Sequence, residues 1–303
     1  MQPAPSIALV TGASSGFGLR ICVALARQGI RVFASMRDQR RSGPLEQAMA
    51  AAGCSCELIT LDLTDADSIE QAVRHIHTTA GPVGILVNNA GYSLAGFAED
   101  LSPAEIRHQF ETNFFGLVAL TRAVLPVMRR RRRGRIINIS SVGGRLPAPG
   151  FGAYCSSKFA VEGFSESLRY EMLPYNVQVS VIEPGVFATE IFNRNQTVAE
   201  KSLDPRGPNY QRTRYYLGIA ERRMQASHAD PGDVARLVVR MVQSRHPRLR
   251  YVIGRDARLQ LLIRALAGQR LWEWLVEFMT KPRRFRMATP TPEEIPNAEK
   301  STI

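Results

Sequence analysis

The chain has 303 residues, 45% hydrophobic and 22% charged, a balance that suits one large α/β domain with a buried core and excludes a disordered or fibrous polymer. No run reaches the roughly 18 apolar residues of a membrane-spanning helix, and the first twelve residues, MQPAPSIALVTG, lack the basic start and apolar stretch of a secretory signal. The formal charge of +12 gathers at five arginines, residues 129–133, and at a second basic cluster, residues 281–286. The first stands where a helix ends, which suits cations by the helix dipole, so no nucleic-acid partner is expected.

Strand-type apolar runs at 7–11, 31–35, 56–61, 85–88, 135–140, 178–182 and 249–253 alternate with helical patterns at 17–28, 44–52, 66–78, 103–132, 153–173 and 231–243. This alternation predicts βαβ units and a single parallel sheet with helices on both faces, a doubly wound α/β domain of the Rossmann type over residues 1–255. The polar stretch 192–214 breaks the rhythm and reads as a mobile insertion. From residue 256 the pattern becomes purely helical: Leu259, Leu262, Ile263 and Leu266, then Gly268, then Leu271, Trp274, Leu275 and Phe278. Residues 256–303 therefore read as a C-terminal helical extension with a disordered tail. Its apolar stripe must be covered by the chain's own body, which is the arrangement expected, by a second copy or by a membrane surface. Four cysteines without metal-ligand spacing (Cys22, Cys54, Cys56, Cys155) point to free thiols and a cytoplasmic location.

Between the first strand and the first helix stands Thr11-Gly12-Ala13-Ser14-Ser15-Gly16-Phe17-Gly18. Glycines at such a turn let the backbone approach a pyrophosphate, whose charge meets free N–H groups at the helix start. The spacing is Gly-x-x-x-Gly-x-Gly rather than Gly-x-Gly-x-x-Gly. Asn88-Asn89-Ala90-Gly91 closes the fourth strand. Tyr154 and Lys158 share one helix face, Ser141 stands 13 residues before Tyr154, and Asn113 lies within the long fourth helix. With these motifs in this order, residues 6–255 resemble the short-chain dehydrogenase/reductase family, in its 17-beta-hydroxysteroid and retinol dehydrogenase-like branch.

The resemblance implies hydride transfer between a nicotinamide dinucleotide and the carbon of an alcohol or ketone, with Asn113, Ser141, Tyr154 and Lys158 as the catalytic set. It assigns Gly12, Ser14, Ser15, Gly16, Phe17 and Gly18 to the pyrophosphate, and Asp62 and Leu63 to the adenine side. Asn89, Ala90 and Gly91 would form the cofactor wall. Tyr154 and Lys158 would also contact the cofactor, and Pro184, Gly185, Val186 and Thr189 would border the nicotinamide amide. It further implies a homodimer or homotetramer through the helices at 103–132 and 153–173. Asn113 would hold a water linking Lys158 to solvent. No metal is required. A binding protein of the same fold that only senses NADP, or one associated with a membrane, is the alternative.

Cofactor choice is written at the end of the second strand. An NAD enzyme places Asp or Glu there for the ribose 2′-hydroxyl, whereas this chain has Met36 and Arg37. A guanidinium suits a 2′-phosphate and Ser14 can add a donor, so NADP(H) is expected. Asp38 is the competing ribose ligand and would favour NAD. Tyrosine has a pKa of about 10, and lowering it by three units takes about 4 kcal/mol. A lysine ammonium about 5 Å away contributes roughly 3 kcal/mol at an effective dielectric of 20. Ser141 would hold the substrate oxygen, with neighbouring Ser140 the alternative. Leu94, Phe97, Phe151, Phe187 and Phe192 border the substrate by the same resemblance, with Ser141 among them. Their apolar character suits a bulky hydrophobic substrate such as a steroid, retinoid or long-chain carbonyl.

Overall fold

Ile7-Ala8-Leu9-Val10-Thr11 forms the first strand, buried along its whole length, as a central parallel strand covered by helices on both faces must be. The computed structural model describes residues 7–187 and 195–280. In chain order the first half runs β1 (Ile7–Thr11), α1 (Gly16–Ala26), β2 (Arg31–Met36), α2 (Gly43–Ala51), β3 (Glu57–Thr60), α3 (Ala66–Thr79) and β4 (Ile85–Asn88). It continues with β5 (Ser93–Ala95), α4 (Pro103–Phe110), α5 (Gly116–Arg130), β6 (Gly134–Ile139), α6 (Gly152–Met172) and β7 (Val177–Pro184). The last elements are β8 (Gln196–Val198), α7 (Tyr210–Gln225), α8 (Gly232–Gln243), β9 (Arg250–Ile253) and α9 (Arg255–Thr280).

Seven strands form one parallel sheet in the order β3-β2-β1-β4-β6-β7-β9. Alternation along each strand divides the core in two. Ala8, Val10, Val32, Ile137 and Ile182 face α1, α2 and α8, represented by Leu25, Leu45 and Val238. Leu9, Phe33, Leu86, Ile136 and Val179 face α3, α5 and α6, represented by Ile76, Leu120 and Leu168. The doubly wound sheet and the helical C-terminal region are those the alternation predicts.

Two segments differ from the sequence expectation. The helix expected over 103–132 is interrupted by one turn of π-helix at Glu111–Phe115, and such a widened turn frequently marks a functional site. Gly116, just after it, lies so close to the Leu63 carbonyl that a Cβ would overlap it. The stretch expected to be a mobile insertion is, from residue 195 onward, tied into the fold. β8 pairs in parallel with β5. Buried Asp100 accepts hydrogen bonds from Ser202 Oγ at 2.6 Å and Asn209 Nδ2 at 3.2 Å. The polar residues that suggested a solvated loop are thus internal hydrogen-bond partners, and α7 follows directly.

The arginine run ends α5. Arg132 takes a left-handed conformation (φ 49°) and donates to the Pro174 carbonyl at 2.7 Å, and the Arg129 guanidinium lies over the Tyr175 ring. It serves as a turn. The larger of two compact units extends through Leu261; within it Asp256 accepts from the Val186 N–H and Ala257 is buried. The second unit begins at Leu262. It is helical to Thr280, apart from Gly268 (φ 66°, ψ 177°).

Candidate active site

β1 and β4 are neighbours, with β2 beyond one and β6 beyond the other. Chain direction across the sheet reverses between them, and ligands of open parallel sheets bind outside the strand carboxyl ends at that reversal. There Gly12 (φ 67°) and Gly16 (φ 56°) take left-handed backbone that glycine adopts without strain. A Cβ on Gly12 would stand 2.9 Å from Ala90 Cα, and one on Gly18 would overlap the Gly12 carbonyl. Asn89 fixes the loop: its Nδ2 donates to the carbonyls of Thr11 (2.8 Å) and Gly12 (3.1 Å). Thr11 Oγ1 in turn accepts from the N–H groups of Asn89 and Ala90, both at 2.9 Å. No side chain caps α1 and its first turn holds no acid, so its leading N–H groups remain available to an anion.

Gly12, Ser14, Ser15, Gly16, Phe17, Asn89, Ala90 and Gly91 line a cavity of about 970 Å³, while Gly18 packs behind them. Backbone that tolerates no side chain beside an open helix start fits a dinucleotide. Arg37, Asp62, Leu63, Pro184, Gly185 and Val186 line the same cavity. Thr189 and Phe192 lie outside the described residues. Asp38 accepts from the Arg40 N–H (3.0 Å) and from its guanidinium (2.9 Å). These bonds hold its carboxyl below the usual range and tie it to its own loop, and Asp38 too lines the cavity. Arg41 joins Arg37 in the lining.

Ser141, Tyr154 and Lys158 open onto the other end of this cavity. β6 delivers Ser141, whose Oγ accepts from the Gly143 N–H at 3.0 Å. α6 delivers Tyr154 and Lys158 one turn apart, and Lys158 Nζ donates to the Ile139 carbonyl at 3.0 Å. Nζ lies 5.9 Å from the centre of the Tyr154 ring. Asn113 sits in the π-helical turn, buried. Its Oδ1 accepts from the Tyr92 N–H (3.1 Å), and its Nδ2 donates to the Tyr92 carbonyl (3.0 Å) and Ser157 Oγ (3.2 Å). The side chain therefore joins the segment after Asn-Ala-Gly to the helix of Tyr154. Ser140 and Ser141 both line the cavity, and the Ser141 hydroxyl acts on the Tyr154 phenol to lower its pKa.

The lysine alone does not set the tyrosine's acidity. Burial pushes the Tyr154 pKa up to about 12, against the bond to Ser141. Burial likewise brings Lys158 down to about 8, with Glu162 acting in the opposite sense. Removing both groups from water disfavours each charged form, and here that outweighs the attraction expected between them.

Behind Lys158 stands an ion cluster that sequence reasoning missed. Arg250 Nε lies 3.0 Å from Glu162 and 3.4 Å from fully buried Glu183, and its Nη2 lies 2.7 Å from Glu166. Arg145 lies 3.3 Å from Glu183. The cluster ties the Ser141 loop, α6 and the end of β7 together. Asp256 was missed as well: its Oδ2 accepts from the Val186 N–H at 2.9 Å, and a Cβ on Gly185 or Gly254 would strike its carboxylate. The glycine two places before it, at φ 107°, was the available signal.

Of the residues expected to border a substrate, Leu94, Ser141 and Phe187 line the cavity. Phe187 packs edge-on against Phe17, with centroids 5.3 Å apart. Phe97 meets the Arg212 guanidinium at 4.3 Å and the Tyr216 ring at 6.0 Å. Phe151 packs with Ala95, Tyr154 and Cys155. Neither is part of that lining, which instead takes in Tyr92, Asn195 and Thr197.

Residues 6–199 match the family model described as short chain dehydrogenase. The chain belongs to the short-chain dehydrogenase/reductase family. It is 40% identical over 258 residues to retinol dehydrogenase 8 of Bos taurus, covering 82% of each chain. It is 35% identical over 255 residues to human 17-beta-hydroxysteroid dehydrogenase type 1, covering 82% of this chain and 77% of the relative. These relatives place it in the branch the motifs indicate, as an oxidoreductase. A metagenomic short-chain oxidoreductase solved in complex with NADP superposes with a TM-score of 0.65 at 27% identity, over 82% of this chain and 96% of that one.

Proposed function

We propose that this oxidoreductase moves hydride between NADP(H) and a secondary alcohol or ketone of bulky hydrophobic frame, such as a steroid, retinoid or long-chain carbonyl, with Tyr154 as general acid and base. The observation that carries this reading is that Ser141, Tyr154 and Lys158 share one cavity with the glycine cradle and Arg37. The cofactor, when bound, supplies or accepts the hydride. Ser141 Oγ orients the substrate oxygen and stabilises charge developing there. Tyr154 Oη gives that oxygen a proton in reduction or removes one in oxidation. A tyrosine pushed up to about 12 holds its proton at neutral pH and has it to give in reduction. Lys158 lies beside it as the cationic partner.

Preference for NADP(H) over NAD(H) rests on Arg37 and Arg41 at the cavity wall and on the engagement of Asp38 by Arg40. The hydrophobic substrate rests on Leu94, Val186 and Phe187 in the lining. By the same reading the enzyme is a cytoplasmic homodimer or homotetramer. Apolar Phe115 and Phe159, exposed at the start of α5 and on α6, support the assembly, and four free cysteines support the compartment. Among the described residues no helix is long and apolar enough to cross a membrane. The test is to follow NADPH and NADH oxidation across aliphatic, aromatic, steroid and retinoid carbonyls. Turnover with hydrophobic ketones and NADPH is expected. A strong preference for small polar carbonyls would refute the substrate class, and a preference for NADH would refute the cofactor.

A further inference from the structure

The ion cluster behind Lys158 holds more negative than positive charge. Glu162, Glu166 and Glu183 converge on two guanidiniums, those of Arg145 and Arg250, through contacts of 2.7 to 3.4 Å. Arg169, on the same helix, gives its guanidinium to the Val179 and Pro247 carbonyls instead. Three carboxylates against two guanidiniums leave one negative charge in excess, and Glu162 and Glu183 are both buried. A buried charge without a counterion is destabilising, so the excess calls for a third cation. Lys158 stands where that cation is needed. It is buried as well, one turn before Glu162 on the same face of α6. Gly144 lets the groups close up: a Cβ there would meet the Lys158 carbonyl at 3.1 Å, Glu162 Cγ at 3.2 Å and Ser140 Oγ at 2.8 Å. Arg250 donates to Glu162 Oε2, while Glu162 Oε1 is buried with no hydrogen-bond partner among the described residues. The groups that face Lys158 from elsewhere are uncharged at neutral pH. They are the Ile139 carbonyl and Ser140 from β6, Asn113 beside Gly91, and Tyr154 and Cys155 on α6.

We propose that Glu162 is a positioning residue for Lys158, a buried carboxylate that keeps the lysine in its ammonium form and thereby sets the upper pH limit of turnover. The inference rests on the Tyr154 and Lys158 chemistry proposed above and adds one residue to it. Burial disfavours the Lys158 ammonium and Glu162 favours it, so removing that carboxylate lowers the pH at which the proton leaves. Ketone reduction under saturating NADPH is followed across the neutral and alkaline range, with thermal melting alongside, in the wild type and in four variants. Glu162→Gln keeps an acceptor for Arg250 but not the charge, and its decline should begin on the order of one pH unit below that of the wild type. Glu162→Asp keeps the charge on a shorter side chain, and its decline should fall between those two. Glu166→Gln weakens the same arginine cluster two turns from Lys158 and should leave the decline in place, which separates the charge at Glu162 from the stability of the cluster. Lys158→Arg should lack the decline. A decline that is unmoved in Glu162→Gln, or moved equally in Glu166→Gln, would overturn the proposal while leaving Tyr154 and Lys158 in their roles. If the glutamine variant does not fold, an unmoved decline in Glu162→Asp has the same force. A decline that persists in Lys158→Arg would instead overturn the assignment of that pH limit to Lys158, and this proposal with it.

Discussion

The two ends of the cavity are built on different principles. At the cofactor end the shape is made by backbone: Gly12 and Gly16 at positive φ, Gly18 against the Gly12 carbonyl, and Asn89 bridging two loop carbonyls. At the substrate end it is made by side chains and by a short ladder, β5 with β8, held to the body by Asp100, Ser202 and Asn209. Backbone requirements admit few residue types, so the first end tolerates little change. Apolar walls accept many, so the second end can vary in shape while the chemistry stays fixed. Tyr154 stands where the two meet.

The largest expected effect falls at that junction. Replacing Tyr154 with Phe removes the proton donor and should lower turnover by about a thousandfold, within the range of general acid catalysis. NADPH affinity, measured by fluorescence titration, should change little. Near-normal turnover would end the mechanism proposed. On the cofactor side, Gly18→Ala forces a Cβ into the Gly12 carbonyl. Overpacking of this kind costs about 1–3 kcal/mol, so the NADPH dissociation constant should rise by a factor of roughly five to 140 by conversion at 1.4 kcal/mol per decade. Unchanged affinity would show that the loop yields and that the cofactor end is less rigid than its geometry indicates.

Arg37→Ala tests specificity at the same end. A charged hydrogen bond contributes about 1.5–3 kcal/mol, so the KM for NADPH should rise on the order of tenfold or more while the KM for NADH stays near its starting value. Equal losses with both cofactors would make Arg37 structural and return Asp38 to consideration.

How much of this was readable beforehand follows the same division. The glycine turn, Asn-Asn-Ala-Gly and the Tyr and Lys pair were legible because each rests on local backbone or one-turn spacing, Ser141 by its 13-residue distance from Tyr154 in the family pattern, and each of these motifs contributes residues to the cavity lining. The order of the outer strands and the β5–β8 ladder were not, since β8 is three residues long and pairs with a segment about a hundred residues earlier. Ser202 and Asn209 looked like loop residues because burial of a polar side chain depends on a distant partner, here Asp100. Phe97 and Phe151 show the converse limit. Their apolar character suggested a pocket wall, and their immediate neighbours are Arg212 and Tyr216 for one and a small apolar cluster for the other.

The pH dependence joins the two ends through Lys158. Burial has lowered this amine to about 8, so its ammonium form is present below that pH and is lost as pH rises through it. Tyr154, pushed up to about 12, stays protonated throughout. Ketone reduction under saturating NADPH should therefore decline above about pH 8. A Lys158→Arg variant, whose guanidinium stays charged, should be slower overall but lack that decline. A decline that persists in the arginine variant would assign it to another group.

The smallest effect belongs to the substrate end, and it separates side-chain anchoring from backbone shape most directly. Ser202→Ala removes the 2.6 Å donor to Asp100 while Asn209 continues to donate to the same carboxylate. One lost bond to a buried acceptor costs about 1–3 kcal/mol, and the cost falls on the turn that follows β8, the strand whose Thr197 borders the cavity. Because the glycine cradle shares none of these bonds, the NADPH dissociation constant should not move. The KM for a bulky ketone should rise a few-fold, with a smaller change for a compact one, and hydrogen exchange should quicken in residues 195–209 alone. If cofactor affinity falls in step with the ketone KM, the two ends are one cooperative structure, and the contrast drawn between them does not hold.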